Sequence, residues 1–176
     1  MAHPEQRKFF ESINIKFPEL FRNSKVLEVG SLDINGTVRD FFTDCDYTGV
    51  DLSEGPGVDV VGQGQELTYP DNFFDFSVSA ECFEHNPFWA ETFINMHRMS
   101  KSFVAFTCAT EGRAEHGTTR TSPSDSPFTL EWDYYKNLTE DDFLDNVSID
   151  LGMMFQNYKF TTNPYSHDLY FWGVVR

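Results

Sequence analysis

Short apolar runs closed by glycine, proline or aspartate, rather than long amphipathic stretches, set the rhythm of this chain. Lys25 to Gly30, Tyr47 to Val50, Val58 to Val61, Phe74 to Ser79 and Ser102 to Thr107 each predict a strand. Between them, Asn35 to Phe42 and Pro87 to Ser100 predict helices, the second with proline near its first turn, and Tyr69-Pro-Asp-Asn72 has turn chemistry. Phe10, Ile13, Phe17 and Phe21 fall near helical spacing, so an N-terminal helix covers the core, interrupted at Pro18 where a second short turn starts. Strands alternating with helices imply a mostly parallel sheet.

The rhythm stops at Cys108. From there to Leu138 runs a polar segment rich in Thr, Ser, Gly and Pro, and its Phe128, Trp132, Tyr134 and Tyr135 argue for a functional loop over simple disorder. Thr139-Glu-Asp-Asp142 is a capping box with Asp in place of Glu, opening a short helix to about Asn146. The last two strands, near Met153 to Thr161 and Leu169 to Val175, are separated only by Asn163-Pro-Tyr-Ser-His167, so they pair antiparallel as a hairpin. With no repeat, residues 1–176 read as one domain: an N-terminal helix (4–23), a ligand-binding core (25–107), a loop over the site (108–138), and a closing helix and hairpin (139–176).

Composition narrows the partners. A chain of 176 residues can bury a core without disulfides or metals, and with 19 Phe that core is ring-rich. Cys45, Cys82 and Cys108 are odd in number and unpaired in spacing, which suggests neither a disulfide framework nor a zinc site. Thirteen basic against 28 acidic residues, a formal charge of −15, argue against nucleic acid. From Asp40 to His97 there is no Lys or Arg but there are twelve carboxylates. Most of these are a solvated acidic surface, yet the region as a whole suits a cationic ligand better than a pyrophosphate. The N-terminal Met-Ala-His-Pro-Glu-Gln-Arg-Lys has no apolar segment of the signal-peptide kind and no later run has the length of a membrane span. The expectation is a soluble, cytoplasmic protein with no membrane partner.

Chemistry concentrates in Lys25-Val-Leu-Glu-Val-Gly-Ser-Leu-Asp-Ile-Asn-Gly-Thr37, a strand running into a turn bounded by Gly30 and Gly36. Glu28 either holds that turn's N–H groups or meets a positive ligand. Asp51 closes the second strand 21 positions beyond Gly30, at the carboxyl edge of the sheet where a βαβ unit presents an acid to a ribose diol. The turn lacks the third glycine of the dinucleotide fingerprint, which disfavours a dinucleotide oxidoreductase.

Taken together, Val26-Leu-Glu-Val-Gly30, Gly49-Val-Asp51-Leu-Ser, Val60-Val-Gly-Gln-Gly64-Gln-Glu-Leu67, Tyr69-Pro-Asp-Asn-Phe-Phe-Asp75 and Ser79-Ala-Glu81-Cys-Phe-Glu-His85 resemble class I S-adenosylmethionine-dependent methyltransferases. The similarity is strongest to the small ubiquinone/menaquinone-biosynthesis type and covers about residues 25–107. It implies an α/β, Rossmann-like doubly wound sheet, mostly parallel with an antiparallel C-terminal hairpin strand, in the order 3-2-1-4-5-7-6. It also implies S-adenosyl-L-methionine as cofactor and S-adenosyl-L-homocysteine as product. Glu28 stands beside the turn in that set. Gly30 and Ser31 would pass the methionine part, with Asn35 and Gly36 completing the turn. Asp51 would bind the ribose hydroxyls and Leu52 pack on adenine. Gln63 stands where the family commonly has an acid for the adenine amino group, Gly64 and Gln65 would meet the adenine edge, and the Ala80-Glu81 backbone would face the amino acid part. The glycine turn departs from the family pattern, with Leu32 and Asp33 where a second glycine is usual.

Asn86-Pro87-Phe88-Trp89 has the look of the motif of nucleic-acid amino methyltransferases, but Ala80 to His85 separate it from the fourth strand and its proline starts a helix. His85, after Glu84, reads as an organiser of its loop. In the long loop, Arg113 and Arg120 would bind a small acceptor bearing a carboxylate or phosphate, unless they pair with nearby carboxylates to order the loop. His116 or Glu111 could remove a proton from a hydroxyl acceptor; an amine or thiolate needs little beyond alignment, and no metal is required. The competing reading is a catalytically silent cofactor-binding or interaction protein that keeps the fold.

Overall fold

The computed structural model describes residues 4–146 and 148–176. Helix α1 (Pro4–Lys16) has Glu5 in its first turn and Lys16 in its last, both placed to suit the helix dipole. It buries Phe10 and Ile13 and ends before a 3-10 turn at Pro18–Phe21 that buries Leu20 and Phe21. The break at Pro18 is thus where the sequence put it.

Seven strands follow: β1 (Lys25–Val29), β2 (Asp46–Asp51), β3 (Val60–Val61), β4 (Phe74–Ala80), β5 (Ser100–Ala109), β6 (Phe155–Asn163) and β7 (Asp168–Val175). They form one sheet in the order 3-2-1-4-5-7-6, the order that the resemblance implied. Strands β1 to β5 pair in parallel, whereas β7 runs antiparallel to both β5 and β6. In the central strands β1 and β4 burial is nearly continuous, because both faces are covered. Register places Val29 opposite both Val50 and Ser79. The residues that end these strands, Gly30, Asp51 and Ala80, therefore share one edge of the sheet.

Each face packs on its own cluster of rings. On one, α2 (Trp89–Met99), α3 (Glu140–Leu144) and α4 (Leu151–Met154) enclose Phe93, Phe106, Phe143, Phe155 and Phe171, with the Phe106 and Phe171 rings stacked at 5.1 Å. On the other, Phe10, Phe21, Phe76 and Phe103 pack with Val38. Burial of each such ring contributes about 1.5–3 kcal/mol. Helix α3 carries the predicted capping box, Thr139 and Asp142 bonding each other's backbone N–H.

One predicted helix is absent. Between Asn35 and Phe42 the chain forms only a 3-10 turn at Arg39–Phe41. Asp33 accepts the Gly36 N–H at 2.8 Å and Thr37 accepts the Arg39 N–H at 3.0 Å, while Gly36 has φ +142°, far from helical. These local side-chain bonds compete successfully with a helix. Val38, wholly buried, and Phe42, stacked on Phe21 at 4.6 Å, fill the space against α1.

The loop after β5 is ordered. The Leu138 N–H bonds to the Ala109 carbonyl, the Lys136 N–H to the Glu84 carbonyl and the Thr110 N–H to the His167 carbonyl. Thr118 is completely buried within it.

Candidate functional site

At the carboxyl edge of β1 and β2 the backbone turns at Gly30, φ +80°, where a Cβ would come within 2.6 Å of the Cys82 Cβ. Only glycine fits that approach. Asp51 lies beneath the turn. Its Oδ2 accepts the Leu32 N–H at 2.9 Å and its Oδ1 the Leu52 N–H at 2.8 Å. Burial raises its pKa and these two bonds oppose the rise. A carboxylate has about four acceptor sites, so two remain for a ligand's hydroxyls. Leu32-Asp33, the irregular part of the turn, is held by that bond and by one from the Asp33 N–H to the Pro56 carbonyl at 2.8 Å. Gly57 makes this contact possible, because a Cβ there would lie 2.5 Å from the Ser31 carbonyl oxygen.

From this edge the cleft divides in two. A cavity of about 530 Å³ is lined by Leu52, Gln63 and Glu66 on one side and by Phe128, Glu131 and Trp132 on the other. This is within the range of small-molecule sites. Within it the Gln63 carbonyl accepts the Gln65 amide at 2.7 Å, and Gly64, buried, offers its carbonyl to Asn95 at 2.8 Å. The inner pocket is far smaller, about 40 Å³, between Gly30, Leu32, Asp51, Glu81, Cys82 and His85 and the loop residues 125–129. Pro127 and Phe128 line both spaces.

Around the inner pocket polar groups are buried in unusual density. Glu81, φ +53°, and Glu84 face one another, and burial, with the neighbouring acids, raises the pKa of Glu81 well above the ordinary range and that of Glu84 in the same direction. Neither has a hydrogen-bond donor for its carboxylate oxygens, and Ser31 Oγ and His85 Nδ1 are also unpartnered. Burial lowers the His85 pKa to about 3 and that of His116 in the same direction. The His116 ring meets His85 edge-on at 4.9 Å and Tyr135 at 5.1 Å. Burial pushes the Cys82 thiol up to about 12.

Other residues singled out from the sequence lie elsewhere. Glu28 lines neither space; it accepts the Tyr47 hydroxyl on the neighbouring strand at 2.8 Å, a partner that differs from both the turn's N–H groups and a ligand. Asn35 is exposed and Gly36 is tied to Asp33, and neither lines the two spaces described. Glu111 lies in a separate surface pocket with Thr139, Asp141 and His167, so it does not meet His116 as a second base. Arg113 pairs with buried Asp168 at 3.1 Å, approaches Glu81 at 3.8 Å and donates to the Ser166 carbonyl at 2.6 Å. Arg120 bridges Glu115 at 2.8 Å and Asp133 at 2.5 Å. Both arginines thus pair with carboxylates. Cys82, Ile34, Phe128 and Trp132 were missed, although the aromatic content of the loop and Gly55-Pro56-Gly57 were signals in plain sight.

Residues 27–106 match the family model described as a methyltransferase domain, the same stretch whose motifs resemble class I methyltransferases. No curated protein matches the chain. Among solved structures it is similar to the YcgJ protein from Bacillus subtilis, with TM-score 0.61 and 11% identity over 95% of this chain and 99% of that one. It is also similar to a 1,6-didemethyltoxoflavin-N1-methyltransferase from Burkholderia thailandensis, with TM-score 0.58 and 17% identity over 99% and 91%; that structure holds 1,6-didemethyltoxoflavin and S-adenosylhomocysteine. Another match, a putative sarcosine dimethylglycine methyltransferase from Galdieria sulphuraria, aligns at 18% identity over 61% of this chain and 47% of that one. At such identities the likeness is one of fold. No helix among the described residues is long and apolar enough to cross a membrane.

Proposed function

We propose that this chain transfers a methyl group from S-adenosyl-L-methionine to a small-molecule acceptor, by O- or N-methylation. The observation that carries the reading is Asp51: an acid at the carboxyl end of β2, fixed by the Leu32 and Leu52 N–H groups, with lone pairs left between the glycine turn and a nucleoside-sized cavity. On this reading Asp51 binds the ribose hydroxyls, Leu52 packs on adenine, and Gln63 with the Gly64-Gln65 backbone meets the adenine edge. Gly30, Ser31 and the Ala80-Glu81 backbone flank the methionine part. The bound cofactor supplies an electrophilic methyl carbon on a sulfonium. The chain's part is to align an acceptor with it, which contributes about 7–11 kcal/mol of barrier lowering in well-oriented reactions. His116 is the base available to a hydroxyl acceptor, since Glu111 is not at the cleft.

The inner pocket, at about 40 Å³, has room for little more than a water molecule. Residues 125–129 must therefore shift when the sulfonium end enters. That closeness also favours the second reading, a cofactor-binding protein without turnover.

Thermal unfolding with each cofactor separates these readings. At about a hundred times Kd a ligand stabilises by ~2.7 kcal/mol, on the order of 5–10 °C for a domain of this size. S-adenosylmethionine and S-adenosylhomocysteine should raise the midpoint and NADH should not; the reverse would sink the proposal. Binding with no methyl transfer across hydroxyl, amine and thiol acceptors would select the silent reading.

A further inference from the structure

Beside the inner pocket three side chains carry ligand atoms that the fold leaves unengaged. Glu84 is fully buried and neither of its carboxylate oxygens has a hydrogen-bond donor. The backbone N–H groups of Glu84 itself and Ala109 and the side chain of another acid, Glu81, face it and offset part of the effect of its burial. Arg113 approaches Glu81 at 3.8 Å but is engaged by Asp168 and the Ser166 carbonyl. His85, 2% exposed, has an unpartnered Nδ1.

His116 comes to this pair from the loop. Its Nδ1 is 3.0 Å from the Ala114 carbonyl, so Nδ1 carries the proton and the lone pair is on Nε2. One ligand atom each from Glu84, His85 and His116 lies within 4.8 Å of the others. The loop can come this close only because residue 117 is glycine: its φ is +62°, and a Cβ there would stand 2.7 Å from His85 Cε1. Two buried acids face to face, with Arg113 engaged elsewhere, leave room for a positive charge between them and the imidazoles.

We propose that Glu84, His85 and His116 bind one divalent transition-metal ion, with a coordination position open toward the inner pocket. Two imidazoles and a carboxylate suit manganese, iron, cobalt or zinc, whereas magnesium and calcium take oxygen ligands. The bond from His116 Nδ1–H to the Ala114 carbonyl is the outer support that metal-bound imidazoles have, fixing tautomer and ring orientation. His85 and Glu81 line the inner pocket, so an ion held there faces the acceptor end of the cleft. Resting on the methyl-transfer reading, but with His116 then a ligand instead of a base, this names an acceptor class: a molecule that presents a hydroxyl or carboxylate oxygen to the metal.

The test uses the full chain, dialysed against EDTA and titrated with Co²⁺, followed by visible absorption and elemental analysis. Wild type should bind one equivalent with ligand-field bands of a nitrogen-oxygen site, and excess Mg²⁺ should not displace it. Glu84→Gln and His116→Ala should each weaken binding by at least about 10- to 100-fold. His116→Ala, on a partly exposed loop, should keep its metal-free melting midpoint, so lost binding there is not lost folding. If wild type binds no Co²⁺, or if His116→Ala binds it as tightly, the site does not exist. The S-adenosylmethionine midpoint shift, measured in EDTA, reports separately: its absence with Co²⁺ binding intact overturns the methyl-transfer reading and leaves the metal site standing.

Discussion

The two ends of the cleft are built in opposite ways. The outer cavity rests on local geometry: β2 ends at Asp51, β3 at Val61, and the residues just beyond them, Leu52 and Gln63, form its wall. Its groups are half-exposed and mostly paired. The inner end is assembled from Glu81 to His85 after β4 and from loop residues 113–135, and it concentrates buried, unpartnered acids and histidines. Shape is inexpensive to specify locally, whereas a buried polar cluster holds together only if distant segments converge on it and satisfy or compensate it. This is why the loop is the more demanding half of the molecule.

The sharpest way to break that contrast is at its arginines, which the sequence treated as equals. Arg113→Met should destabilise the protein by about 3–5 kcal/mol, because buried Asp168 loses its cationic partner while the Ser166 and Tyr170 hydroxyls go on donating to it, and urea unfolding should show a lower midpoint at unchanged slope. The next effect is on pH. Glu28 is buried and its pKa is raised from 4.5 to about 7, burial being the main cause and the Tyr47 hydroxyl bond opposing it. The fold thus favours the neutral acid. Its contribution is fully present below pH about 4.5 and is lost as pH rises through about 7, on the order of 3 kcal/mol in all. Glu28→Gln should remove that decline in unfolding titrations while leaving the cofactor-induced midpoint shift intact; loss of the shift would return Glu28 to the cleft.

Asp51→Asn tests the outer end. It should weaken S-adenosylmethionine by about 1.5–3 kcal/mol, the value of a hydrogen bond to a charged group, as measured by calorimetry on a protein that remains folded. The smallest effect is expected at Arg120. Its side chain is 55% exposed in both of its ion pairs, and Arg120→Gln should cost less than about 1 kcal/mol. A loss as large as that of Arg113→Met would mean that the whole loop, and not its inner face, is under strain.

The strands, their order and the acid at the end of β2 were legible because period-two runs and strand-ending residues are local signals, and sheet order follows from a family pattern carried by those same residues. Other features were not legible. The helix expected at Asn35 to Phe42 failed because Asp33 and Thr37 offered the backbone nearer partners. Glu28 was ambiguous because an acid inside a strand points to either face, and Tyr47 on the neighbouring strand claimed it. Glu111 and His116 are five positions apart, yet only His116 packs against His85 beside the inner pocket.

By itself, then, the sequence determined the strands, the capped α3, the closing hairpin and the edge at which Gly30 and Asp51 meet, since each depends on residues close along the chain or on register between neighbouring strands. What only the tertiary structure decided is where the side chains of the long loop go. Arg113 turns to Asp168, Phe128 covers the cleft and His116 comes to Glu84 and His85. Those contacts join segments dozens of residues apart, and burial and charge compensation choose among them only once the core has set the distances.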